Sequence, residues 1–407
     1  MSGSGANGGC GGVPRRHFLK TTGCAAAGLF AGSLVRPGRL FGADSSGKPN
    51  ILVFFTDEER PESLHLPALL RPNLQRLRTN GVQFDNAYCS YPLCSPSRAT
   101  IMTGLYPRQC GLYDNVMIGS PTYDSHFGST IDPALPTDIP NLATVFSAAG
   151  YDVGYFGKWH LSMSEGAMAD TSAIDLTPYG FEPGNFRVAV DAQDNGKTQD
   201  PITTEHAVQW IHGRKNSPRP WLCIVSIINP HDIMSHVDSY NLDDIPERSI
   251  TLPPNFEDDI AKLSRQDIPE EVRRTAVMFN AMGAPGSERE WRDRLRLYCH
   301  LIERTDGYLG SVLDAVEDTG ASHKTITVYM ADHGEQLASH QAHLKPYMYE
   351  EASRIALYDI DPLNTRELIA TTGYFSIDEA ARAGYPDTLG LRDSAGTFST
   401  EVFLEWE

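Results

Sequence analysis

"WLCIVSIINPHD", residues 221–232, runs from Trp221 to Ile228 with only Ser226 interrupting the apolar residues, then turns into Asn229-Pro230-His231-Asp232. A strand with one wet face alternates apolar and polar side chains. This run does not alternate, so it reads as a strand buried on both faces, the habit of a parallel sheet covered by helices. Three other runs have the same form: "ILVFFTD" (51–57), "DVGYFGKWH" (152–160) and "TITVYMADHG" (325–334). Helix-like stretches separate them, over Pro72 to Asn80, Pro140 to Ala149 and roughly Glu288 to Val316. The alternation predicts an α/β fold with a mostly parallel central sheet sandwiched by helices.

Each run ends in residues capable of chemistry: Asp57-Glu58, Lys158-Trp159-His160, His231-Asp232 and Asp332-His333. Ligands of open α/β sheets bind beyond the carboxyl ends of the strands. Four such ends at one sheet edge therefore predict a site. Asp57, Glu58 and Asp332 offer hard oxygen ligands suited to Ca²⁺, with Mg²⁺ as the alternative. Without a cation, three converging carboxylates would raise one another's pKa. Lys158, His160, His231 and Lys345 supply the cationic side, able to hold an anion and to assist a leaving oxygen.

Composition narrows the function classes. The chain has 407 residues and a formal net charge of −18, which argues against nucleic acid or an anionic membrane surface as the main partner. Near the N-terminus, Arg15-Arg16-His17-Phe18-Leu19-Lys20 precedes a mildly apolar, Ala/Gly-rich run. That grammar resembles a Tat signal, which exports folded proteins, and places the mature protein in the periplasm or outside the cell. Seven cysteines occur, five of them beyond residue 43. Cys223 reads as a buried strand thiol, and pairing of Cys89 with Cys110 is left open.

Cys94 is the oddest of the five. "CSPSRATIMTG" (94–104) places it at a predicted helix start, with Ser95, Pro96 and Ser97 as capping and first-turn residues and a stop near Gly104. A group there meets free N–H donors and the positive end of the helix dipole, with Arg98 one turn along. A half-disulfide, a metal thiolate and a catalytic group all fit this position.

Here the motifs carry a resemblance. Cys94-Ser95-Pro96-Ser97-Arg98 with Thr103-Gly104 and Pro107 resembles the sulfatase signature. Gly157-Lys158-Trp159-His160, Pro230-His231, Asp332-His333-Gly334-Glu335, His340 and Lys345 through Glu350 resemble further blocks of that family, in the family's order over roughly residues 49–356. The resemblance implies an alkaline-phosphatase-like fold and a sulfuric ester hydrolase. Its nucleophile would be formylglycine, made from Cys94 by a maturase acting on the unfolded chain. The hydrated aldehyde attacks sulfur, and its second hydroxyl then allows sulfate to be expelled. By the same resemblance Arg98 and Lys158 steady the nucleophile and the sulfate, and His160 removes a proton for the elimination. His231 and Lys345 would bind sulfate, while Asp57, Glu58, Cys94, Asp332 and His333 surround the metal. The implied substrate is a sulfated small molecule or carbohydrate.

Three features depart from the family pattern. Glu58 stands where Asp or Gln is usual. His333 replaces a common Asn, a variant associated with phosphonate and phosphodiester hydrolases, which form the rival reading on the same scaffold. A third reading is an inactive exported protein, because residues 357–407 do not read as the expected small second sheet. The predicted organisation is a signal at 1–43, a catalytic domain at 44–356, and a tail at 357–407 in which a small C-terminal subdomain is truncated or diverged. Substrate identity and oligomeric state are not readable from the sequence.

Overall fold

The computed structural model describes residues 47–116, 134–162, 174–183, 195–263, 268–281 and 283–360, and the backbone of 123–124, 129–130 and 186–189. The segment read as a Tat-type signal and the predicted tail beyond residue 360 lie outside the described residues.

The strands are β1 (Asn50–Asp57), β2 (Val82–Gln83), β3 (Ala87–Tyr88), β4 (Tyr123–Asp124), β5 (Ser129–Thr130) and β6 (Asp152–Lys158). They continue with β7 (Phe186–Ala189), β8 (Trp221–Pro230), β9 (Thr325–Ala331), β10 (Arg354–Ile355) and β11 (Leu357–Ile360). Seven form the central sheet, in the order β2-β11-β9-β1-β8-β6-β7. From β9 through β7 every pairing is parallel, and β11 lies antiparallel to both β9 and β2. All ten residues of β8 are buried, as the unbroken apolar run predicts.

Alternate side chains of β1 enter two cores. Val53 and Phe55 pack with Tyr155, Trp159, Leu222 and Ile224 beneath α2 (Cys94–Thr103) and α4 (Leu142–Ala148). Leu52 and Phe54 pack on the other face with Leu74 of α1 (Pro72–Asn80), Trp210 of α5 (Gly196–His212) and Val312 of α8 (Glu288–Asp318). Both faces are thus covered, which removes apolar surface from water on two sides of each strand. Among the described residues no helix is long and apolar enough to cross a membrane.

One boundary differs from the sequence reading. Leu357–Ile360, assigned there to the tail, joins the central sheet, with Tyr358 opposite Tyr329 of β9. Tyr358 is buried and its hydroxyl accepts a hydrogen bond from Arg78, so this segment continues the domain. "LYDI" hid its strand because only Leu357 and Ile360 are strongly apolar.

Candidate active site

The four parallel strands deliver their ends to one place. In register, Thr56 lies opposite Ala331 and Asp57 opposite Pro230, so Asp57, His231 and Asp332 emerge together. Gly157 lies opposite Ser226 on β6 and β8. Its φ is +103°, and a Cβ there would sit 1.9 Å from the Ser226 carbonyl oxygen. Glycine is what lets β6 approach closely enough to aim Lys158 at the centre.

Cys94 is the first residue of α2 and is fully buried. Its Sγ lies 3.3 Å from His333 Nε2, 3.6 Å from Lys158 Nζ and 3.7 Å from Asp57 Oδ1. Burial and Asp57 push the thiol pKa up, but Lys158, Lys345 and His333 outweigh them and bring it well below the ordinary range. The surroundings favour a negative atom at the end of this side chain. The helix start differs from the sequence reading in one respect. Leu93 occupies the cap position without a side-chain bond, and the Ser95 N–H donates to Asn115 Oδ1 at 3.0 Å. A residue twenty positions away therefore satisfies an amide that the sequence reading left free for an anion. Gly104 ends the helix in the left-handed conformation as expected.

Arg98 holds carboxylates rather than pointing its donors at Cys94. Its Nη2 donates to Asp57 (2.8 Å), its Nε to Asp332 (2.9 Å), and its Nη1 to the Lys158 carbonyl and Ser226 Oγ (both 2.8 Å). Lys158 Nζ forms a second ion pair with Asp57. Burial would raise the Asp57 pKa, but Lys158, His231, Arg98 and Lys345 together hold it well below the carboxylate range. Asp332 moves the other way, pushed up by burial and by Asp57. Its Oδ1 accepts the N–H groups of Glu58 and His333.

Glu58 has a left-handed backbone (φ 71°) that turns its buried carboxylate into the site. Lys345 Nζ donates to its Oε2 at 2.8 Å, and His231 Nε2 lies 3.8 Å from the same oxygen. The Tyr298 hydroxyl of α8 donates to its carbonyl at 2.6 Å. Burial dominates in raising the Glu58 pKa; Lys345 opposes it, and Glu335 and Asp57 add to it.

Oxygen donors for a hard cation are therefore assembled. Asp57, Cys94, Asp332 and His333 each offer a ligand atom within 4.8 Å of the others, and Asp57, Glu58 and His231 form an overlapping group. Glu58 Oε1 is buried without a hydrogen-bond partner among the described residues. His333 Nδ1 meets the Gly334 carbonyl at 2.9 Å, which places the neutral ring's proton there and leaves Nε2 to act as ligand. Such a carboxylate-rich set with a bare buried oxygen fits Ca²⁺ or Mg²⁺.

His160 is drawn in by other contacts. Its Nε2 lies 2.8 Å from the Val116 carbonyl, which fixes the ring proton and makes Nδ1 the basic nitrogen. Its own carbonyl accepts from the Ser95 hydroxyl at 2.6 Å. All ten residues singled out by sequence are buried, and the strand ends bring Asp57, Lys158, His231 and Asp332 to one edge. His340, a motif residue outside this group, instead lies tilted against the Tyr349 ring, centroids 4.7 Å apart, and meets Asn255.

Sequence reading missed the supports. Asp200 on α5 is fully buried and accepts the N–H groups of Ile228 (2.7 Å) and Asn229 (3.0 Å) at the end of β8. Asp232 returns the favour to α5, accepting from Gly196 (2.9 Å), Lys197 (3.0 Å) and the Tyr240 hydroxyl. This reciprocal clamp brackets His231. An acidic residue in a helix, Asp200 carried no sequence signal that it faces inward. The five cysteines of the described region are free buried thiols, so Cys89 and Cys110 do not pair, and Cys223 is the strand thiol expected.

The family model described as Sulfatase matches residues 49–357. The chain belongs to the sulfatase family. A Delta 4,5-hexuronate-2-O-sulfatase of Bacteroides thetaiotaomicron is 27% identical over 327 residues, covering 77% of this chain and 62% of that protein. An ulvan-active sulfatase of Formosa agariphila is 25% identical over 326 residues, covering 76% and 54% respectively. A solved 2-O GAG sulfatase shares the fold with a TM-score of 0.56 at 23% identity, covering 77% of this sulfatase chain and 64% of the other. The chain spans less than two thirds of the length of these relatives.

Proposed function

We propose that this sulfatase-family chain hydrolyses the sulfate ester of a sulfated carbohydrate, releasing the alcohol and inorganic sulfate. The observation that carries the reading is the placement of Cys94. It is fully buried at the start of a helix, within 3.7 Å of Lys158, His333 and Asp57. A buried residue so surrounded is poorly placed as packing and well placed to carry a charged nucleophile.

Cys94 would carry the formylglycine, whose hydrate supplies a hydroxyl nucleophile and a second hydroxyl that allows release of sulfate. Asp57, Glu58, Asp332 and His333 would hold Ca²⁺, which supplies positive charge beside the reacting group. The remaining roles belong to the chain. Lys158 holds negative charge on the side chain of residue 94. Lys345 and His231 converge on one point, now filled by Glu58 Oε2, where an anionic oxygen is stabilised. His160 Nδ1 is the base available for the elimination. Arg98 fixes the two aspartates and acts through them. Maturation by a formylglycine-generating enzyme and export by a Tat-type route to the periplasm or beyond complete the reading.

The sugar preference is supported by similarity to a Delta 4,5-hexuronate-2-O-sulfatase and an ulvan-active sulfatase. His333 beside Cys94 favours one rival, a phosphorus-ester hydrolase. A panel of aryl sulfate, phosphodiester and phosphonate monoester separates the two. The sulfate ester is expected to be turned over fastest, and preference for either phosphorus ester overturns the proposal.

A further inference from the structure

Ser95 follows Cys94 as the second residue of α2 and is fully buried. A serine at a helix start commonly turns its hydroxyl back onto the free amides of the first turn. Ser95 does not. Asn115 Oδ1 accepts its amide at 3.0 Å, and its hydroxyl leaves the helix for two other segments. It donates to the His160 carbonyl at 2.6 Å and accepts the Val116 amide at 3.0 Å. A hydroxyl has one proton to give, and this one is committed to His160.

These contacts close into a ring. Val116, whose N–H meets Ser95, has its carbonyl 2.8 Å from His160 Nε2. One hydroxyl therefore holds the His160 backbone directly and, through Val116, the edge of its imidazole. The bond also ties His160 to the residue beside Cys94, although Ser95 and His160 are 65 positions apart in sequence. All three members of the ring are buried, and Val116 packs in one core with Ala99, Trp159 and Leu161. A lost hydrogen bond there is not readily replaced by water.

His160 needs such holding. Its φ is +55°, a left-handed conformation that is uncommon for a residue with a Cβ and persists where surrounding contacts over-determine it. The bond from Ser95 to its carbonyl is one of those contacts. The same ring decides which nitrogen carries the proton, because donation from Nε2 to the Val116 carbonyl leaves Nδ1 as the basic atom. A Val116 carbonyl released from its place would no longer select one tautomer.

We infer that Ser95 is a positioning residue for His160, its hydroxyl locking both the left-handed turn and the Val116 carbonyl that fix the orientation and tautomer of the imidazole. The inference rests on the reading of His160 as the base of the elimination. In that step His160 takes the proton of the hydroxyl remaining on residue 94. The O–H electron pair closes the carbonyl as the C–O bond to sulfate breaks, and sulfate leaves with the electrons of that bond. His160 enters only there, so a loosened ring slows release of sulfate and not the attack on sulfur.

The test uses the mature enzyme with Ser95→Ala, a change that suits a helix and removes only the hydroxyl. With an aryl sulfate, kcat is expected to fall roughly tenfold to hundredfold, KM to fall with it, and kcat/KM to stay unchanged. Rapid mixing is expected to show a burst of about one equivalent of phenol before slow turnover. Thr103→Ala, which removes a hydroxyl bonded at the other end of α2, is expected to lower stability without this split. Ser95→Ala that keeps the parental kcat, or that lowers kcat/KM along with kcat, overturns the inference. A second measurement needs no turnover. In Cys94→Ala protein, nitrogen-15 spectra of the neutral His160 ring are expected to show the Nε2–H form alone while Ser95 is present, and both forms in Ser95→Ala. A single unchanged tautomer in Ser95→Ala, or the Nδ1–H form with Ser95 present, overturns it as well. Aryl sulfate left intact by the unsubstituted mature enzyme would instead count against the active-site reading, and the spectra would still decide whether Ser95 holds His160.

Discussion

Arg98 shows how much a single side chain carries in this site. Its guanidinium is 1% exposed and touches Asp57, Asp332, the Lys158 carbonyl and Ser226, joining strands β1, β6, β8 and β9. Its presence in the signature was legible in the sequence. Its task was not, because spacing along a helix says which residues are near, not which way a long side chain turns. Arg98→Ala leaves two buried carboxylates short of their counter-charge, a change expected to cost about 3–5 kcal/mol. Denaturant unfolding checks this. Arg98→Lys is expected to restore only part of the loss, since an ammonium group does not reproduce the planar fork. Full stability in Arg98→Ala would show that the aspartates do not depend on it.

Among the elements, the strands and long helices were readable and the supports were not. The run 221–232 announced β8 by lacking polar alternation, and α1 occupies Pro72–Asn80 as its pattern predicts. By contrast, β11 is a four-residue strand whose identity comes from its neighbour β9, and Asn115 caps α2 from a distant loop. Tertiary partners of this kind leave no local pattern. The α5–β8 clamp is the clearest case, and it has a pH signature. Burial raises the Asp200 pKa to about 7, with the Ile228 and Asn229 amides opposing and Asp232 adding to the rise. Arg304 and Tyr308 also feel its charge. An unfolded Asp titrates near ~3.9, so between about pH 4 and 7 the native state holds a proton that the unfolded state has released. Asp200 thus contributes most below that window, and its contribution is lost as pH rises through it. Stability profiles are expected to show the native chain losing up to about 1.4 kcal/mol per pH unit relative to Asp200→Asn across this range. Parallel profiles would mean that Asp200 is ionised throughout.

For the whole molecule, a sheet with both faces covered places the candidate site at one edge, and a chain of formal charge −18 gathers Arg98, Lys158 and Lys345 there. The order of events also belongs to this scale. Cys94 is fully buried at the start of α2, so the proposed modifying enzyme would have to reach it before the sheet closes. The proposed cation would couple to folding, because the carboxylate-rich site that holds it is assembled only in the folded chain. The proposed export of an already folded chain would be compatible with both. The four strand ends and the signature block were enough to locate this centre from sequence. The clamp and the distant cap needed the fold, because they join residues 20 to 36 positions apart. The most direct measurement is peptide mass spectrometry across residue 94, with metal analysis of the same sample, on chain co-expressed with a formylglycine-generating enzyme. The expected result is formylglycine at position 94 and one divalent cation per chain. An unmodified Cys94 in a folded, metal-free protein would contradict it.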